Sequence, residues 1–163
     1  PAAGESARQT IVEEGSTLFR DSAVEATQVS SLTQARWQKL VWNVPYNGLS
    51  VLLNTGTRKL MDNPDSRALI GELMQEVMRG AAACGHQLPD GFVGRMLKVT
   101  ERMPDYLPSM YHDFVQKRPM ELQAIYAAPI AAAQVAGCAL PRMQMLLQAL
   151  CFLQDSNAHE ADG

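Results

Sequence analysis

Apolar residues recur every three to four positions along most of the chain from about residue 31, which is the spacing of amphipathic α-helices. The first such segment covers about residues 33–53 and contains Pro45, which should kink the helix because proline removes a backbone hydrogen bond. The same pattern predicts five further helices, starting near Asn63, Asp90, Ser109, Pro119 and Pro141. This part of the chain is therefore predicted to be an all-α helical bundle.

Cap-forming residues mark the ends of these helices. Asp62 or Asn63 can cap a helix that has Pro64 in its first turn, and Gly85 and Gly137 can end helices in a left-handed conformation. Residues 154–163 are polar and should fray. The alanine-rich run at residues 127–136 lets neighbouring helices approach closely, so we expect it to be the central helix of the bundle.

The first thirty residues have a different pattern. A helix is predicted over about residues 5–20, and the alternating, β-branched residues 24–29 predict a strand. One helix and one strand cannot make a sheet, and no further strand-like segment follows. The chain also begins at Pro1 rather than at an initiator methionine. We therefore expect residues 1–30 to be the remnant of a larger domain whose bulk is missing, and residues 31–163 to form a helical domain.

Composition narrows the possible functions. Of 163 residues, 47% are hydrophobic, enough for one domain with a core. Acidic residues outnumber basic ones by 17 to 14 and the basic ones are scattered, so nucleic acid is not an expected partner. No apolar run reaches the ~18 residues of a membrane span, and no signal peptide opens the chain. A cytoplasmic protein with reduced cysteines is expected. The three histidines lack ligand-like spacing, so no metal site is expected.

Three polar residues at intervals of four, Lys39, Asn43 and Asn47, lie on one side of the first predicted helix. A solvated surface stripe is the simplest interpretation of this pattern. Two features favour a binding site instead. Trp37 lies beside the stripe, and asparagine is a poor helix former, so two asparagines on either side of Pro45 in mid-helix require a reason. The pattern alone leaves both interpretations open.

These residues also resemble a family signature. The W-x-K-x3-N-x3-N-x-L helix of the ketopantoate reductase family is matched by Trp37, Lys39, Asn43, Asn47 and Leu49. The family's S-S-M-x-x-D and G-R-x-T-E-I-D blocks are similar to residues 109–113 followed by Arg118 and Glu121. Gly137 and Pro141 correspond to a G-x3-P motif before the last helix. Three blocks in the right order make the resemblance specific.

The resemblance implies a fold and an activity. In that family a Rossmann domain binds NADPH, an all-α domain of the 6-phosphogluconate dehydrogenase C-terminal type follows it, and ketopantoate is reduced to pantoate for pantothenate biosynthesis. By resemblance, Lys39 is the general acid, Glu121 orients the substrate, and further hydrogen bonds to the ligand come from Asn43, Asn47 and Ser109. Family members often pair through this half, which implies a homodimer.

Two features set limits on this function. The sequence has no G-x-G-x-x-G or G-x4-G-K-[ST] loop to hold a nucleotide phosphate, so NADPH is expected to bind mainly to a missing Rossmann domain in cis. These 163 residues alone are then expected to be inactive. The chain also departs from the family pattern at Pro108, Lys117, Met120, Gln123 and Ala127. Another small 2-oxo acid is therefore an alternative substrate, and a non-catalytic helical interaction or dimerisation module is the alternative function.

Overall fold

The computed structural model describes residues 32–161, with side chains for residues 32–157. In this range the chain forms helices joined by short loops and contains no strand, which confirms the all-α prediction. None of the described helices has the length and apolar character needed to cross a membrane. The helix predicted at residues 5–20 and the strand predicted at residues 24–29 lie outside the described residues. The elements are α1 (Leu32–Leu52), α2 (Thr57–Asp62), α3 (Pro64–Ala83), α4 (Phe92–Arg102), α5 (Ser109–Val115), a π-helix (Gln123–Ala127), α6 (Ala128–Val135) and α7 (Pro141–Ala161).

The second half of α1 is the centre of the fold. Every residue from 44 to 51 is buried, so this segment is covered on all sides. The prediction of an alanine-rich central helix is wrong: in α6 only Pro129, Ile130 and Ala133 are buried, and Val135 is 92% exposed. Burying valine, tyrosine or leucine removes much more apolar area from water than burying alanine, so the helix with the larger side chains occupies the centre.

The helix α1 continues through Pro45. Proline has no N–H group to donate to the carbonyl oxygen one turn earlier. In this part of the helix two other carbonyl oxygens accept side-chain donors. That of Asn43 accepts from the Asn47 amide at 3.1 Å, and that of Val44 accepts from the Tyr126 hydroxyl at 2.8 Å. Side chains thus add hydrogen bonds in the region where proline removes one.

Tyr126 attaches the π-helix to the centre of α1. Its hydroxyl donates to the Val44 carbonyl oxygen. A Cβ atom at Gly48 would lie 2.5 Å from this hydroxyl and 2.6 Å from Cδ2 of Leu146, so a side chain at this position would displace both neighbours. Burial raises the pKa of Tyr126, which keeps the phenol neutral.

A buried carboxylate joins α3 to α7. Glu76 is fully buried and accepts the backbone N–H groups of Arg142 and Met143 at 3.1 and 3.0 Å. These N–H groups belong to the first turn of α7, where a helix has free donors and a partial positive charge. On the surface, Arg142 also forms a salt bridge with Glu72, one turn earlier on α3, at 2.6 Å. The start of α7 is therefore fixed on α3 by two carboxylates.

Four helices of the described range end in a left-handed residue, with backbone hydrogen bonds that run back into the last turn. The predicted stops at Gly85 and Gly137 are confirmed, with φ angles of 81° and 77°. The other two positions are not glycine: Asn54 follows α1 with a φ of 50°, and Lys117 follows α5 with a φ of 54°. Asparagine visits this conformation fairly readily, whereas lysine does so only with strain.

Helix α2 was not predicted from the sequence. It is six residues long and has no side-chain cap at its N-terminus. Tertiary contacts hold it in place: the Arg58 guanidinium donates to the carbonyls of Glu101 and Met103 at the end of α4. Such a short helix depends on its surroundings rather than on its own residues.

Two other helix boundaries also differ from the prediction. The helix expected from Pro119 begins only at Leu122 and opens with the π-helix. Helix α7 continues to Ala161, so the residues from 154 that were expected to fray are helical up to that point, and residues 162 and 163 lie outside the described range. The amide of Asn157 donates to the carbonyl of Phe114 at 2.9 Å, which ties the end of α7 to α5. The polar residues of this turn are held by a specific hydrogen bond, which periodicity does not reveal.

Candidate functional site

A cleft of about 670 Å³ lies between the first half of α1 and the segment formed by Glu121, the π-helix and α6. Small-molecule sites in proteins have volumes of roughly 300 to 1,000 Å³. On the α1 side the lining residues are Thr33, Arg36, Trp37, Lys39, Leu40 and Asn43. On the facing side they are Glu121, Ala124, Ile125, Ala128, Pro129 and Ala132. The cleft therefore has a polar wall and a mostly apolar wall with one carboxylate.

Two of the sequence-predicted residues, Lys39 and Asn43, lie one helical turn apart on the α1 wall. Lys39 is exposed and Asn43 is half-buried. Neither side chain forms a hydrogen bond or an ion pair with any of residues 32–157. Their polar groups face a cleft rather than a protein partner, so they can bind a ligand.

The carboxylate of Glu121 enters the cleft from the facing wall. Its side chain is exposed, while its chain neighbours Met120 and Leu122 are each only 7% exposed. The backbone N–H of Met120 donates to Gln154 on α7 at 2.8 Å. These flanking contacts fix the backbone on either side of Glu121. Glu121 thus lies on a well-supported wall of the cleft that Lys39 and Asn43 also line.

The rest of the cleft is shaped by one large residue and several small ones. Trp37 is 5% exposed, and its ring lies against Gly80 of α3, where an added Cβ would be 3.3 Å from the ring. On the facing wall Ala124, Ala128 and Ala132 recur every four residues. Because alanine side chains are short, this wall leaves space for a ligand substituent.

The structure brings together three of the five predicted site residues, and the other two lie outside the lining of the cleft. Asn47 is 3% exposed, and its side-chain oxygen accepts the backbone N–H of Met110 at 3.3 Å. Each four-residue step turns a side chain by ~40°, so Asn47 is rotated by ~80° from Lys39 and points into the core. Ser109, the first residue of α5, is exposed but does not line the cleft.

The departures from the family pattern lie away from this lining. Met120 was expected close to the ligand, but it lines a separate cavity of about 220 Å³ together with Lys117 and Gln154. Gln123 is exposed and also lies outside the cleft lining. Neither residue changes the described wall of the cleft.

The cleft includes a charged residue that the sequence reasoning missed. Arg36 lies three positions before Lys39, on the same face of α1, and it lines the cleft. The family signature begins one residue later, at Trp37, so the resemblance did not include it. Helical spacing was the signal that could have revealed it, because residues three apart on a helix are neighbours.

Comparison with known proteins gives a consistent result. Residues 31–154 match the family described as ketopantoate reductase PanE/ApbA C terminal. A 2-dehydropantoate 2-reductase of Nostoc sp. is 41% identical over 139 residues, which are 85% of this chain and 44% of that protein. A 2-dehydropantoate 2-reductase structure from Geobacter metallireducens is 39% identical, with a TM-score of 0.83, over 86% of this chain and 48% of that one. A dimeric ketopantoate reductase from Staphylococcus aureus is 25% identical, with a TM-score of 0.77, over 90% of this chain and 52% of that one. The chain spans about half the length of these relatives.

Proposed function

Because the chain belongs to the ketopantoate reductase family and matches its C-terminal domain, we propose that it is the substrate-binding half of an NADPH-dependent reductase of a small 2-oxo acid. Ketopantoate, reduced to pantoate in pantothenate biosynthesis, is the first candidate substrate. One observation carries the proposal: Lys39, Asn43 and Glu121, distant in sequence, line the same cleft. An ammonium, an amide and a carboxylate around one space suit the reduction of a ketone.

In the proposed reaction a hydride adds to the ketone carbon, and the electron pair of the carbonyl bond moves to the oxygen. The Lys39 ammonium stabilises the negative charge on that oxygen and donates the proton that gives the 2-hydroxy acid. Arg36 can stabilise charge but is too weak an acid to donate this proton. The amine left on Lys39 regains a proton from water, since the side chain is exposed.

The other residues of the site orient the ligand. Glu121, on the facing wall, accepts a hydrogen bond from the forming hydroxyl group. Asn43 can donate to a ligand oxygen without competing as an acid. We assign Asn47 a positioning role, supported by its bond to the backbone of Met110 in α5. Ser109, which begins α5 outside the cleft lining, is proposed as a ligand contact by resemblance alone.

In the proposed enzyme NADPH supplies the hydride and leaves as NADP⁺. The residues of this chain do not fit the pyrophosphate of that cofactor, because the 163 residues contain no glycine-rich phosphate loop and the cleft lining contains no glycine. We therefore propose that NADPH binds mainly to a Rossmann domain joined in cis. The 163 residues alone should then show no NADPH affinity and no turnover.

The role of Lys39 can be tested by substitution in the protein that includes its nucleotide-binding half. Lys39→Ala should lower kcat by roughly 10²- to 10⁴-fold, the usual range for a positioned general acid. Glu121→Ala should lower kcat and raise KM together, because it holds the ligand before and during the reaction. The measurement is NADPH oxidation with ketopantoate and a panel of other 2-oxo acids.

Lys59→Ala is the matched control, because Lys59 is an exposed lysine of α2 outside the cleft and its loss should leave kcat unchanged. Unfolding midpoints should be equal in all variants, since both site residues are exposed. Wild-type rates in Lys39→Ala would exclude it as the acid. If the wild-type protein reduces no member of the panel, the non-catalytic module becomes the better proposal.

We further propose a homodimer and a cytoplasmic location. The Staphylococcus aureus relative is dimeric, and the last helix of this chain carries Met145 and Phe152, seven residues apart and 53% and 71% exposed. Apolar groups on one exposed helix face are suited to an interface between subunits. The odd number of well-separated cysteines fits a reducing compartment.

A further inference from the structure

Arg36 is an unusual arginine in this protein. Most arginines in the described range bind protein acceptors, as Arg118 binds Asp113 and Arg142 binds Glu72. Arg36 is exposed, lines the cleft, and forms no hydrogen bond or ion pair with residues 32–157. A guanidinium with five donors is thus directed at a cleft and engaged by none of these side chains.

The charges of the cleft favour an anion. Its described lining contains two cations, Arg36 and Lys39, and one carboxylate, Glu121. The sum is one positive charge, which a ligand with a single carboxylate would neutralise. Glu121 comes from the opposite wall, so it does not lie beside Arg36 on the same helix. A neutral ketone would leave the guanidinium unpaired.

The spacing along α1 fits the two functional groups of a 2-oxo acid. Side chains three positions apart on a helix have Cβ atoms ~5–6 Å from each other. In a 2-oxo acid the carboxylate and the ketone are on adjacent carbon atoms, so two long side chains at this spacing can reach both. A carboxylate held by Arg36 leaves the ketone oxygen next to Lys39. The rest of the ligand then points towards the alanine wall.

We propose that Arg36 binds the carboxylate of the substrate and is the residue that makes this cleft select 2-oxo acids over neutral ketones. Arginine suits this role because its planar fork forms two parallel hydrogen bonds to a carboxylate. The inference rests on the proposed function, in that it names the substrate class and orientation for the same site. Its test measures binding rather than turnover, so that the inference about Arg36 and the proposed reductase function can fail separately.

The experiment titrates the 163-residue chain with 2-oxoisovalerate and, separately, with the neutral amide of that acid. Binding is followed by NMR through the indole N–H signal of Trp37 and the side-chain N–H signal of Arg36. The wild type should bind the acid about 10- to 100-fold more tightly than the amide, the range expected for hydrogen bonds to a charged group. Arg36→Gln should lose this preference, and Arg36→Lys should recover part of it because it keeps the charge.

Arg102→Gln is the matched control, since Arg102 is an exposed arginine at the end of α4 that does not line the cleft. It should bind both ligands like the wild type. The inference is overturned if Arg36→Gln keeps the preference for the acid, or if the wild type has no such preference. Loss of the preference in Arg36→Gln, together with no reduction of any 2-oxo acid by the longer protein, would support the anion site and reject only the proposed reductase.

Discussion

At the scale of single residues, this chain uses similar charged groups for two different purposes. Glu76 is fully buried and satisfied by two backbone N–H groups, whereas Glu121 is exposed and lines the cleft. Removing a buried carboxylate leaves donors unpaired, which costs stability. Removing an exposed one costs little stability but takes away a ligand contact. Substituting Glu76 should therefore change mainly the stability of the protein, and substituting Glu121 mainly its ligand binding.

Among the described residues, Lys117 has the clearest backbone strain. It has a φ of 54° at a position where the family pattern has glycine. A left-handed conformation costs a non-glycine residue ~1–2 kcal/mol, and glycine would relieve this strain. Glycine also makes the unfolded chain more flexible, which offsets part of the stabilisation. Lys117→Gly should therefore raise the free energy of unfolding by about 0.5–1 kcal/mol, measured by urea denaturation.

A matched lysine shows whether the left-handed conformation is the cause. Lys98 is exposed within α4, where glycine disfavours the helix, so Lys98→Gly should lower the free energy of unfolding by about 1 kcal/mol. Opposite signs at the two sites are the expected result. Equal destabilisation at both would show that the conformation of Lys117 carries no strain.

Sequence reasoning identified some of the individual residues and missed others, for physical reasons. Gly85 and Gly137 were predictable because glycine is the usual residue at a left-handed helix end. Lys117 was not, because lysine carries no such signal. Glu76 was also missed, since its partners on α7 lie 66 and 67 positions away in sequence. Asn47 was assigned to the ligand, and only the accumulated rotation of α1 places it in the core.

At the scale of helices, α1 and the π-helix approach closely at Gly48 and Tyr126. The Tyr126 hydroxyl reaches the backbone of α1 because Gly48 has no side chain. Gly48→Ala should lower the free energy of unfolding by about 2–4 kcal/mol, through overpacking against Tyr126 and Leu146 and the strained hydroxyl contact. The measurement is again urea denaturation.

Gly71 provides the control for this prediction. It lies inside α3, and apart from the neighbouring backbone of that helix no atom lies within 4 Å of an added Cβ. Gly71→Ala should therefore raise the free energy of unfolding by about 0.5–1 kcal/mol, through helix propensity alone. Combining Gly48→Ala with Tyr126→Phe should recover part of the loss, because the hydroxyl is gone. A Gly48→Ala variant as stable as the wild type would show that the contact is loose.

Helices were predictable where their own residues specify them. α3 has Asn63 as a cap, which accepts the N–H groups of Asp65 and Ser66, and Pro64 in its first turn. The π-helix and α2 were not predictable, because each is held by contacts with other elements. The same holds for the choice of central helix, which depends on how much area each helix buries rather than on its own pattern.

At the scale of the whole molecule, buried tyrosines make stability depend on alkaline pH. Burial raises the pKa of Tyr46 and Tyr126 above their ordinary value. Below about pH 10 the tyrosines are protonated in both the folded and the unfolded chain, so their titration does not lower the free energy of unfolding. Above it the unfolded chain loses protons that the folded chain keeps. The free energy of unfolding should then fall by up to ~1.4 kcal/mol per pH unit for each tyrosine.

Urea denaturation at pH 9, ~10 and ~11 measures this dependence. Above pH 10, Tyr126→Phe should remove the contribution of this tyrosine to the slope of the free energy of unfolding against pH, even if the variant is less stable at every pH. Tyr106→Phe is the control, because Tyr106 is 46% exposed and should leave the slope unchanged. An unchanged slope in Tyr126→Phe would show that the alkaline loss has another source.

The division of α1 into a cleft-facing first half and a fully covered second half has a consequence for how this protein can change over generations. Mutations of the exposed residues of the first half, such as Arg36 and Lys39, alter what the cleft accepts while leaving the free energy of unfolding nearly constant. Mutations in the second half threaten folding itself, since every residue from 44 to 51 is buried. After a gene duplication, one copy could acquire a new ligand by single substitutions at the exposed positions in two turns of one helix, with no compensating mutation elsewhere. From Val44 to Val51 no such exposed position remains.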